Sequence, residues 1–175
     1  MTKIIISACL LEREVMEEAA RHLPEGELSV SPRDWPFRYD GKSKALKDAR
    51  LACWAEEGRL IPICPEVMGG LPVPRDPSEI SAGRVISRSG ADVTFEYTCG
   101  AEEVLRLARV LACEPGGVVA ILKQGSPSCG SREIYDGTFS GRKIPGRGIT
   151  AKMLAETGVS VFDETELDRA EALIG

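Results

Sequence analysis

The chain has 175 residues, of which 43% are hydrophobic and 28% charged, and its formal net charge is −5 at pH 7. This composition is typical of a globular protein, and the length fits one domain. No stretch contains the roughly 20 consecutive apolar residues that a membrane-spanning helix needs. Because Lys and Arg form no dense cluster, we expect no broad binding to a phosphate backbone, although a folded RNA stays open as a specific substrate.

Six cysteines and a single histidine limit the chemistry that is available to the chain. The apolar start from Lys3 to Leu11 is short, Glu12 follows at once, and no small-residue cleavage site suggests a secretory signal. We therefore predict a cytoplasmic protein whose cysteines are reduced thiols, metal ligands or catalytic groups rather than a disulfide framework. His22, near the end of a predicted helix, is expected to interact with the helix C-terminus rather than to serve a catalytic triad.

Apolar strands alternate with amphipathic helices along the chain. Continuous apolar runs predict buried strands at residues 3–8, 59–63, 118–122 and 159–162. Helical periodicity and capping residues predict helices at residues 12–23, 43–57, 101–112, 150–157 and 167–174. The alternation predicts an α/β protein with one domain over residues 1–175, built on a mostly parallel, Rossmann-like sheet flanked by helices. Pro62 predicts that the second strand lies at a sheet edge or in an irregular ladder, and residues 84–96 predict a small additional hairpin around Ser89-Gly90.

Three segments lack helical or strand periodicity and are expected to be loops. Residues 35–42 bring three aromatic rings and two cations together, as a loop pinned to the core or as a substrate-stacking surface. Residues 67–77 are rich in glycine and proline, so we predict a fixed loop in which Arg75 holds an anionic or carbonyl group, or a structural carboxylate. Residues 134–148 have the composition of a lid, and equally that of a solvated linker.

Three of the six cysteines follow predicted strands. Cys9 and Cys64 come directly after the first and second strands, and Cys129 lies in the small-residue segment Ser126-Pro127-Ser128-Cys129-Gly130 beyond the third. Because the carboxyl ends of parallel strands meet at one edge of a sheet, where ligands bind in open α/β folds, these thiols are expected to converge. Three converging thiolates suit zinc or an iron–sulfur cluster better than they suit a hydrophobic core.

The other three cysteines fall in or beside predicted helices, where a free thiol is usually a small core residue. Cys53, Cys99 and Cys113 are therefore predicted to be packing residues. Cys99 also lies near the predicted start of a helix, a position at which the pKa of a thiol can be lowered.

Five motifs, spread over most of the chain, resemble the thiouracil desulfidase family, long catalogued as a bacterial domain of unknown function. The motifs are Ser7-Ala8-Cys9-Leu10-Leu11, Phe37-Arg38-Tyr39-Asp40-Gly41-Lys42, Cys64-Pro65-Glu66-Val67-Met68-Gly69-Gly70-Leu71-Pro72-Val73-Pro74-Arg75, Ser126-Pro127-Ser128-Cys129-Gly130 and Tyr135-Asp136-Gly137-Thr138-Phe139. The sequence departs from the family pattern in one place, because Glu12 replaces an expected glycine and residues 12–36 are predicted to be an insertion. The insertion leaves the presumed cluster ligands intact but lies beside the presumed pocket.

The resemblance implies a cofactor and a reaction. Cys9, Cys64 and Cys129 would hold a [4Fe–4S] cluster with three protein ligands and one open iron, while Glu66 and Ser126 would be the catalytic pair. The implied reaction is the non-redox removal of sulfur from a thiolated pyrimidine, which gives the oxo-base and sulfide. An open iron is a soft Lewis acid, for which a thiocarbonyl sulfur is a natural ligand.

The residue types support such a mechanism. Glu66 would protonate the ring or activate water, and Ser126 would orient that water or stabilise the tetrahedral adduct. Lys123, Ser128 and Arg75 are further candidates for substrate binding. A free thiobase, a thionucleoside, a nucleotide or a modified tRNA base would each fit this chemistry as the substrate.

Two other functions stay open. A zinc-dependent hydrolase would use the same three cysteines, and zinc in elemental analysis together with activity that survives in air would identify it. A non-enzymatic nucleotide-binding or sulfur-sensing module would bind its ligand without turnover, and Glu66→Ala would leave its affinity largely unchanged. The sequence predicts neither the oligomeric state nor the order of the strands in the sheet.

Overall fold

A computed structural model of the protein describes residues 1–23 and 44–175. The strands are β1 (Lys3–Ser7), β2 (Leu60–Ile63), β3 (Ser78–Ser81), β4 (Arg84–Ser87), β5 (Val118–Leu122), β6 (Glu133–Tyr135), β7 (Lys143–Pro145) and β8 (Ser160–Asp163). The helices are α1 (Arg13–Arg21), α2 (Ala49–Glu56), α3 (Pro65–Met68), α4 (Thr94–Ala112), α5 (Ile149–Glu156) and α6 (Leu167–Ile174). A single 3₁₀ turn, Ala8–Leu10, follows β1.

Four strands form a parallel sheet in the order β2–β1–β5–β8. Ile4, Ile5 and Ile6 of β1 are completely buried, which explains why this strand is a continuous apolar run. Helices α1 and α2 pack against β2, α4 packs against β5, and α6 packs against β5 and β8. The predicted α/β class with a mostly parallel sheet is confirmed, and Pro62 lies in the edge strand β2, as expected.

The connections of the sheet create a crevice at one edge. The chain leaves β1 to form β2 on one side and then crosses to β5 on the other side of β1. In open α/β sheets, such a reversal of strand order leaves a crevice beyond the carboxyl ends of the strands, and ligands bind there. The segments that carry the three strand-end cysteines all leave the sheet at this edge.

Strands β3 and β4 form an antiparallel hairpin, but its turn is not where we predicted it. The two turn residues are Ala82 and Gly83, both with positive φ (49° and 77°), as a tight two-residue turn requires. An alanine in a left-handed conformation gives little sign of a turn in the sequence. The predicted turn at Ser89-Gly90 is present as well, in the connection between β4 and α4, where Ile86 and Asp92 form an isolated antiparallel bridge across it.

The segment 134–148, predicted to be a lid or a linker, contributes to a second antiparallel hairpin, β6–β7. Its strands have only three residues each, too few for alternation to be recognised in the sequence. The buried carboxylate of Glu79, on β3, accepts hydrogen bonds from the backbone N–H groups of Gly137 (2.9 Å) and Phe139 (3.0 Å). This carboxylate therefore joins the first hairpin to the tip of the second.

Two helices differ from their predicted extents, and the predicted roles of three cysteines change with them. Helix α4 begins at Thr94 because a first turn of low helix propensity packs against α3, so Cys99 lies inside the helix rather than at its start. Helix α2 buries Leu51, Trp54 and Ala55, which leaves Cys53 on its exposed side. Cys113, the C-cap of α4, is exposed as well, so the prediction of both cysteines as core residues was wrong.

Part of the predicted insertion belongs to the described structure. Helix α1 ends at Arg21, and the Nε2 atom of the following His22 lies 3.2 Å from the Glu18 carboxylate. The rest of the insertion and the aromatic segment 35–42 lie outside the described residues. No helix within residues 1–23 and 44–175 is long and apolar enough to cross a membrane.

Two glycines allow the backbones of α3 and α4 to touch. A Cβ atom at Gly100 would lie 1.8 Å from the carbonyl oxygen of Pro65, and one at Gly69 would lie 1.9 Å from that of Glu96. Any side chain larger than hydrogen would push the two helices apart. This contact fixes the position of α3, the short helix that carries Glu66.

We predict that Gly100→Ala destabilises the protein, although Gly→Ala inside a helix normally stabilises it by about 1 kcal/mol. The added methyl group overlaps the Pro65 carbonyl, so a loss of about 1–3 kcal/mol in the free energy of unfolding is expected. Urea denaturation measures this change. The control Val110→Ala lies on the exposed side of α4 and should stay within about 0.5 kcal/mol of wild type. A Gly100→Ala protein as stable as wild type would contradict the prediction.

Candidate active site

A cavity of about 560 Å³ lies beyond the carboxyl edge of the sheet. Its walls include residues that follow β1, β2 and β5, together with residues of both hairpins. The structure brings Cys9, Cys64 and Cys129 to this one cavity. Cys129 is buried, whereas Cys9 and Cys64 are partly buried. Among the residues that the structure describes, no group of three or more His, Cys, Asp or Glu side chains is arranged to hold a metal ion.

Each of the three cysteines is placed by a different local structure. Cys9 lies in the 3₁₀ turn directly after β1, and Cys64 is the N-cap of α3, whose first helical residue is Pro65. Cys129 lies in a turn organised by Ser126, whose hydroxyl oxygen accepts hydrogen bonds from the N–H groups of Ser128 (3.1 Å) and Cys129 (3.2 Å). A turn after each strand therefore directs the chain along the rim of the cavity.

The three thiols share an unfavourable electrostatic environment. Burial raises the pKa of each thiol from 9.0 to about 12, and the negative charge of Glu66 adds to the increase in all three. The cations Lys44 and Lys123 act in the opposite direction on Cys9. Deprotonation of all three thiols is therefore costly unless a positively charged centre binds them.

Glu66 is held between the thiols and a serine. Its Oε1 atom accepts a hydrogen bond from the Ser126 hydroxyl (3.2 Å), while Oε2 accepts from Arg75 (2.7 Å) and from the Cys64 thiol (3.4 Å). The side chains of Glu66 and Arg75 are only 12% and 11% exposed, so water screens this ion pair poorly. Of the alternatives for Arg75, the structure supports a bound carboxylate, and that carboxylate belongs to Glu66. One carboxylate oxygen is thus fixed, and the other faces Ser126.

Two of the three further candidates for substrate binding line the cavity, Arg75 and Lys123. The ammonium group of Lys123 forms an ion pair with Glu164 and donates a hydrogen bond to the backbone carbonyl of Gln124 (3.2 Å). Ser128 does not line the cavity, because its side chain is fully buried and its hydroxyl lies 3.1 Å from the Thr150 hydroxyl. Ser128 is accordingly placed to stabilise the turn rather than to contact a ligand.

Sequence reasoning missed several residues of the cavity wall, among them Ser7 and Tyr97. The Ser7 hydroxyl accepts a hydrogen bond from the Lys123 N–H group (3.0 Å) and is hydrogen-bonded to the Cys129 thiol. Ser7 could have been found in the sequence as the polar residue that directly follows the apolar run of residues 4–6. Tyr97 is only 3% exposed, and burial raises the pKa of its phenol well above the usual value. It was overlooked because α4 was predicted to begin at residue 101.

The two hairpins add aromatic rings and cations to the wall. The Arg88 guanidinium lies 5.6 Å from the centre of the Phe139 ring, and the Lys143 ammonium lies 5.7 Å from the centre of the Tyr135 ring. All four side chains line the cavity that contains the thiols. Such a wall suits a planar molecule with polar substituents.

The fold and the cavity define the class of protein. It is an α/β domain with a thiol-lined cavity at the point where the strand order of a parallel sheet reverses. The sequence profile of the 2-thiouracil desulfurase family matches residues 34–166. The uncharacterised protein YbbK of Bacillus subtilis (strain 168) is 40% identical over 141 residues, which are 75% of this chain and 89% of YbbK. The solved structure of the [4Fe–4S]-dependent thiouracil desulfidase TudS matches with a TM-score of 0.78 and 41% identity, covering 99% of this chain and 98% of that chain. The chain therefore belongs to the 2-thiouracil desulfurase family, and the resemblance seen in the five motifs is confirmed.

The raised thiol pKa values predict how the metal-free protein responds to alkaline pH. The thiols ionise near pH 9.0 in the unfolded chain but only near about 12 in the folded protein, so stability is lost as pH rises from 9.0 towards 12. Melting temperatures measured across this range should fall more steeply for wild type than for the triple variant Cys9→Ser, Cys64→Ser, Cys129→Ser. Replacing the exposed Cys113 with Ser should preserve the wild-type slope. If the melting temperature fell equally with pH in wild type and in the triple variant, the raised pKa values of these three thiols would be refuted.

Proposed function

We propose that this protein is a desulfidase that uses a [4Fe–4S] cluster to remove sulfur from a thiolated pyrimidine, giving the oxo-base and sulfide without net redox change. The observation that carries the proposal is the meeting of three cysteines with the hydrogen-bonded pair Glu66 and Ser126 in one cavity. Membership of the 2-thiouracil desulfurase family supports it, as does the likeness to TudS, which is a [4Fe–4S]-dependent thiouracil desulfidase.

The donor set fits an iron–sulfur cluster. Cys9, Cys64 and Cys129 would be the ligands, because such clusters take thiolates and a set of three leaves one iron without a protein ligand. Binding to iron would also stabilise the thiolate forms that burial and Glu66 disfavour. When bound, the cluster supplies a Lewis-acidic iron with a preference for the soft sulfur atom of a thiocarbonyl group.

Glu66 and Ser126 would move the proton and position the water. Arg75 holds Oε2 of Glu66, so Oε1 is the oxygen that is available for proton transfer. Because the Ser126 oxygen accepts two backbone N–H groups, its own proton is directed towards Glu66. A water molecule beside this pair would give a proton to Glu66 as its oxygen attacks the thiocarbonyl carbon, and Ser126 would orient the water.

The proposed reaction is balanced as a hydrolysis. The carbon–oxygen bond forms, the carbon–sulfur bond breaks, and both protons of the water leave with the sulfur, one by way of Glu66 and the other from the hydroxyl group of the adduct as the carbonyl group forms. The products are the oxo-base and sulfide, so no external oxidant or reductant is required. Glu66 is regenerated as the carboxylate that pairs with Arg75.

The surroundings of the cavity support a small substrate. Its aromatic and cationic wall, which includes Tyr135 and Phe139, suits a thiolated base or nucleoside. With a net charge of −5, the chain is not expected to bind nucleic acid beyond a single modified tRNA base. We place the reaction in the cytoplasm, where thiols are kept reduced.

Anaerobic purification tests the cofactor. We expect a brown protein with about four irons and four sulfides per chain. Cys129→Ser should lose most of the iron, whereas Cys113→Ser, which changes an exposed thiol outside the cavity, should retain it. A colourless protein that cannot be reconstituted with iron and sulfide would rule out the cluster. Zinc in its place, with activity that survives in air, would favour the zinc hydrolase.

Sulfide release from 2-thiouracil and 4-thiouridine tests the catalytic pair. Glu66→Gln removes the proton acceptor and should lower kcat by about 10²- to 10⁴-fold, and Ser126→Ala should lower it in the same direction. Iron content should stay at the wild-type level in Glu66→Gln. Because Ser126→Ala also removes the acceptor of two N–H groups in the turn that carries Cys129, its kcat is compared per bound cluster. Glu114→Gln, an exposed substitution outside the cavity, is the matched control. Wild-type turnover by Glu66→Gln would contradict the assignment, and the absence of turnover in wild type with every thiolated base would favour a binding module.

A further inference from the structure

Gln124 has an unusual place in both the sequence and the fold. It is the only glutamine among the 175 residues, and the chain contains no asparagine, so it is the only side-chain amide in the protein. It lies two residues after the end of β5. The segment from Gln124 to Glu133, the first residue of β6, is called the loop 124–133, and it carries Ser126 and Cys129. An amide is the uncharged side-chain group that can accept and donate hydrogen bonds in fixed directions at the same time.

The side-chain oxygen of Gln124 closes this loop on itself. Its Oε1 atom accepts hydrogen bonds from three consecutive backbone N–H groups at the far end of the loop. It also accepts one from the backbone N–H group of the residue that follows Gln124. The donors are Ser131 (3.1 Å), Arg132 (3.2 Å), Glu133 (3.2 Å) and Gly125 (3.3 Å). The first residue of the loop therefore holds the last three.

The side-chain nitrogen of Gln124 is anchored as well. Its Nε2 atom donates to Oδ2 of Asp163 (2.8 Å), a fully buried carboxylate at the end of β8. Burial alone would raise the pKa of Asp163, but hydrogen bonds from Thr165 and Arg132 hold it below its usual value, so the group is ionised. A carboxylate partner leaves only one orientation for the amide, with its nitrogen towards Asp163 and its oxygen towards the loop.

No other natural side chain replaces this amide without loss. A carboxylate at position 124 would still accept the N–H groups, but it would face the buried charge of Asp163 and repel it. An alanine would leave the backbone N–H groups of residues 131–133 without this acceptor, whereas the Gly125 N–H group also donates to the Glu133 carbonyl (3.2 Å).

The loop that Gln124 closes positions Ser126 and Cys129 through its own hydrogen bonds. Inside it, the Gly130 N–H group donates to the Ser126 carbonyl (2.9 Å), and the Ser126 hydroxyl accepts the N–H groups of Ser128 and Cys129. A shift at the closure would therefore move the Ser126 hydroxyl relative to Glu66 and the Cys129 thiol relative to the other two thiols.

We propose that Gln124 and Asp163 form a positioning pair that holds the loop 124–133 in the shape in which Ser126 faces Glu66 and Cys129 faces the shared cavity. The amide acts through the loop, because both of its polar atoms are bonded within the protein. The catalytic part of this inference rests on the proposed desulfidase function. The structural part can be measured without any activity.

Amide hydrogen exchange of the metal-free protein tests the structural part. In Gln124→Ala and Gln124→Glu, the amides of residues 131–133 should exchange roughly tenfold faster than in wild type, because each loses or weakens its hydrogen bond. The amides of α4, remote from the loop in the chain, should keep their wild-type rates. Unchanged exchange at residues 131–133 would overturn the proposal.

Kinetics of the cluster-loaded enzyme test the catalytic part. Gln124→Glu should lower kcat for sulfide release by about 10- to 100-fold, with a much smaller change in KM, as is typical when a group that supports a ligand or catalytic residue is lost. The core variant Leu107→Ala, in α4, lowers stability without touching the loop and should leave kcat unchanged.

Exchange and kinetics together distinguish a structural role of Gln124 in the loop from an effect on catalysis. Faster exchange at residues 131–133 combined with a wild-type kcat in Gln124→Glu would overturn the positioning role. If wild type itself releases no sulfide, the proposed function fails, and hydrogen exchange still decides whether Gln124 holds the loop.

Discussion

Parallel pairing of β1 with both β2 and β5 is the constraint on which the site depends. The register sets Ser7 opposite Ile63 and Ile6 opposite Ile121, so the three strands end almost level with one another. Cys9 and Cys64 follow these ends directly, and the loop after β5 brings Cys129 to the same cavity. Because a parallel sheet collects its carboxyl ends at one edge, residues that are more than fifty positions apart in sequence meet there.

Bringing these groups together creates an electrostatic problem that the surrounding residues partly solve. One buried thiol, two partly buried thiols and the Glu66 carboxylate occupy one cavity, and the nearby carboxylate makes each thiol harder to ionise. Arg75 neutralises Glu66, and Lys123 reduces the cost at Cys9. A cationic centre bound by the thiols would offset the remaining cost of ionising them. The cofactor and the catalytic carboxylate of the proposed desulfidase therefore depend on the same balance of charges.

Rigid supports surround this charged centre. The backbone contact at Gly69 and Gly100 fixes α3 and therefore Glu66, while the amide of Gln124 closes the loop that carries the third thiol. The Glu79 carboxylate ties the tip of the second hairpin to the first, and both hairpins supply rings and cations to the wall. Each support joins segments that are distant in sequence, which is why a change outside the cavity is expected to alter the chemistry within it.

The sequence by itself determined the α/β class, the four buried strands and the five motifs, because continuous apolar runs and helical periodicity are local properties of the chain. It also indicated that Cys9, Cys64 and Cys129 follow strand ends, and the structure places them in one cavity. Only the tertiary structure decided the hairpin turn, the start of α4, the burial of Ser128, the exposure of Cys53 and the hydrogen bonds of Gln124. These features depend on which distant segments pack together, and no local pattern encodes that. The amide of Gln124 illustrates the limit, since its partners lie up to 39 residues away along the chain.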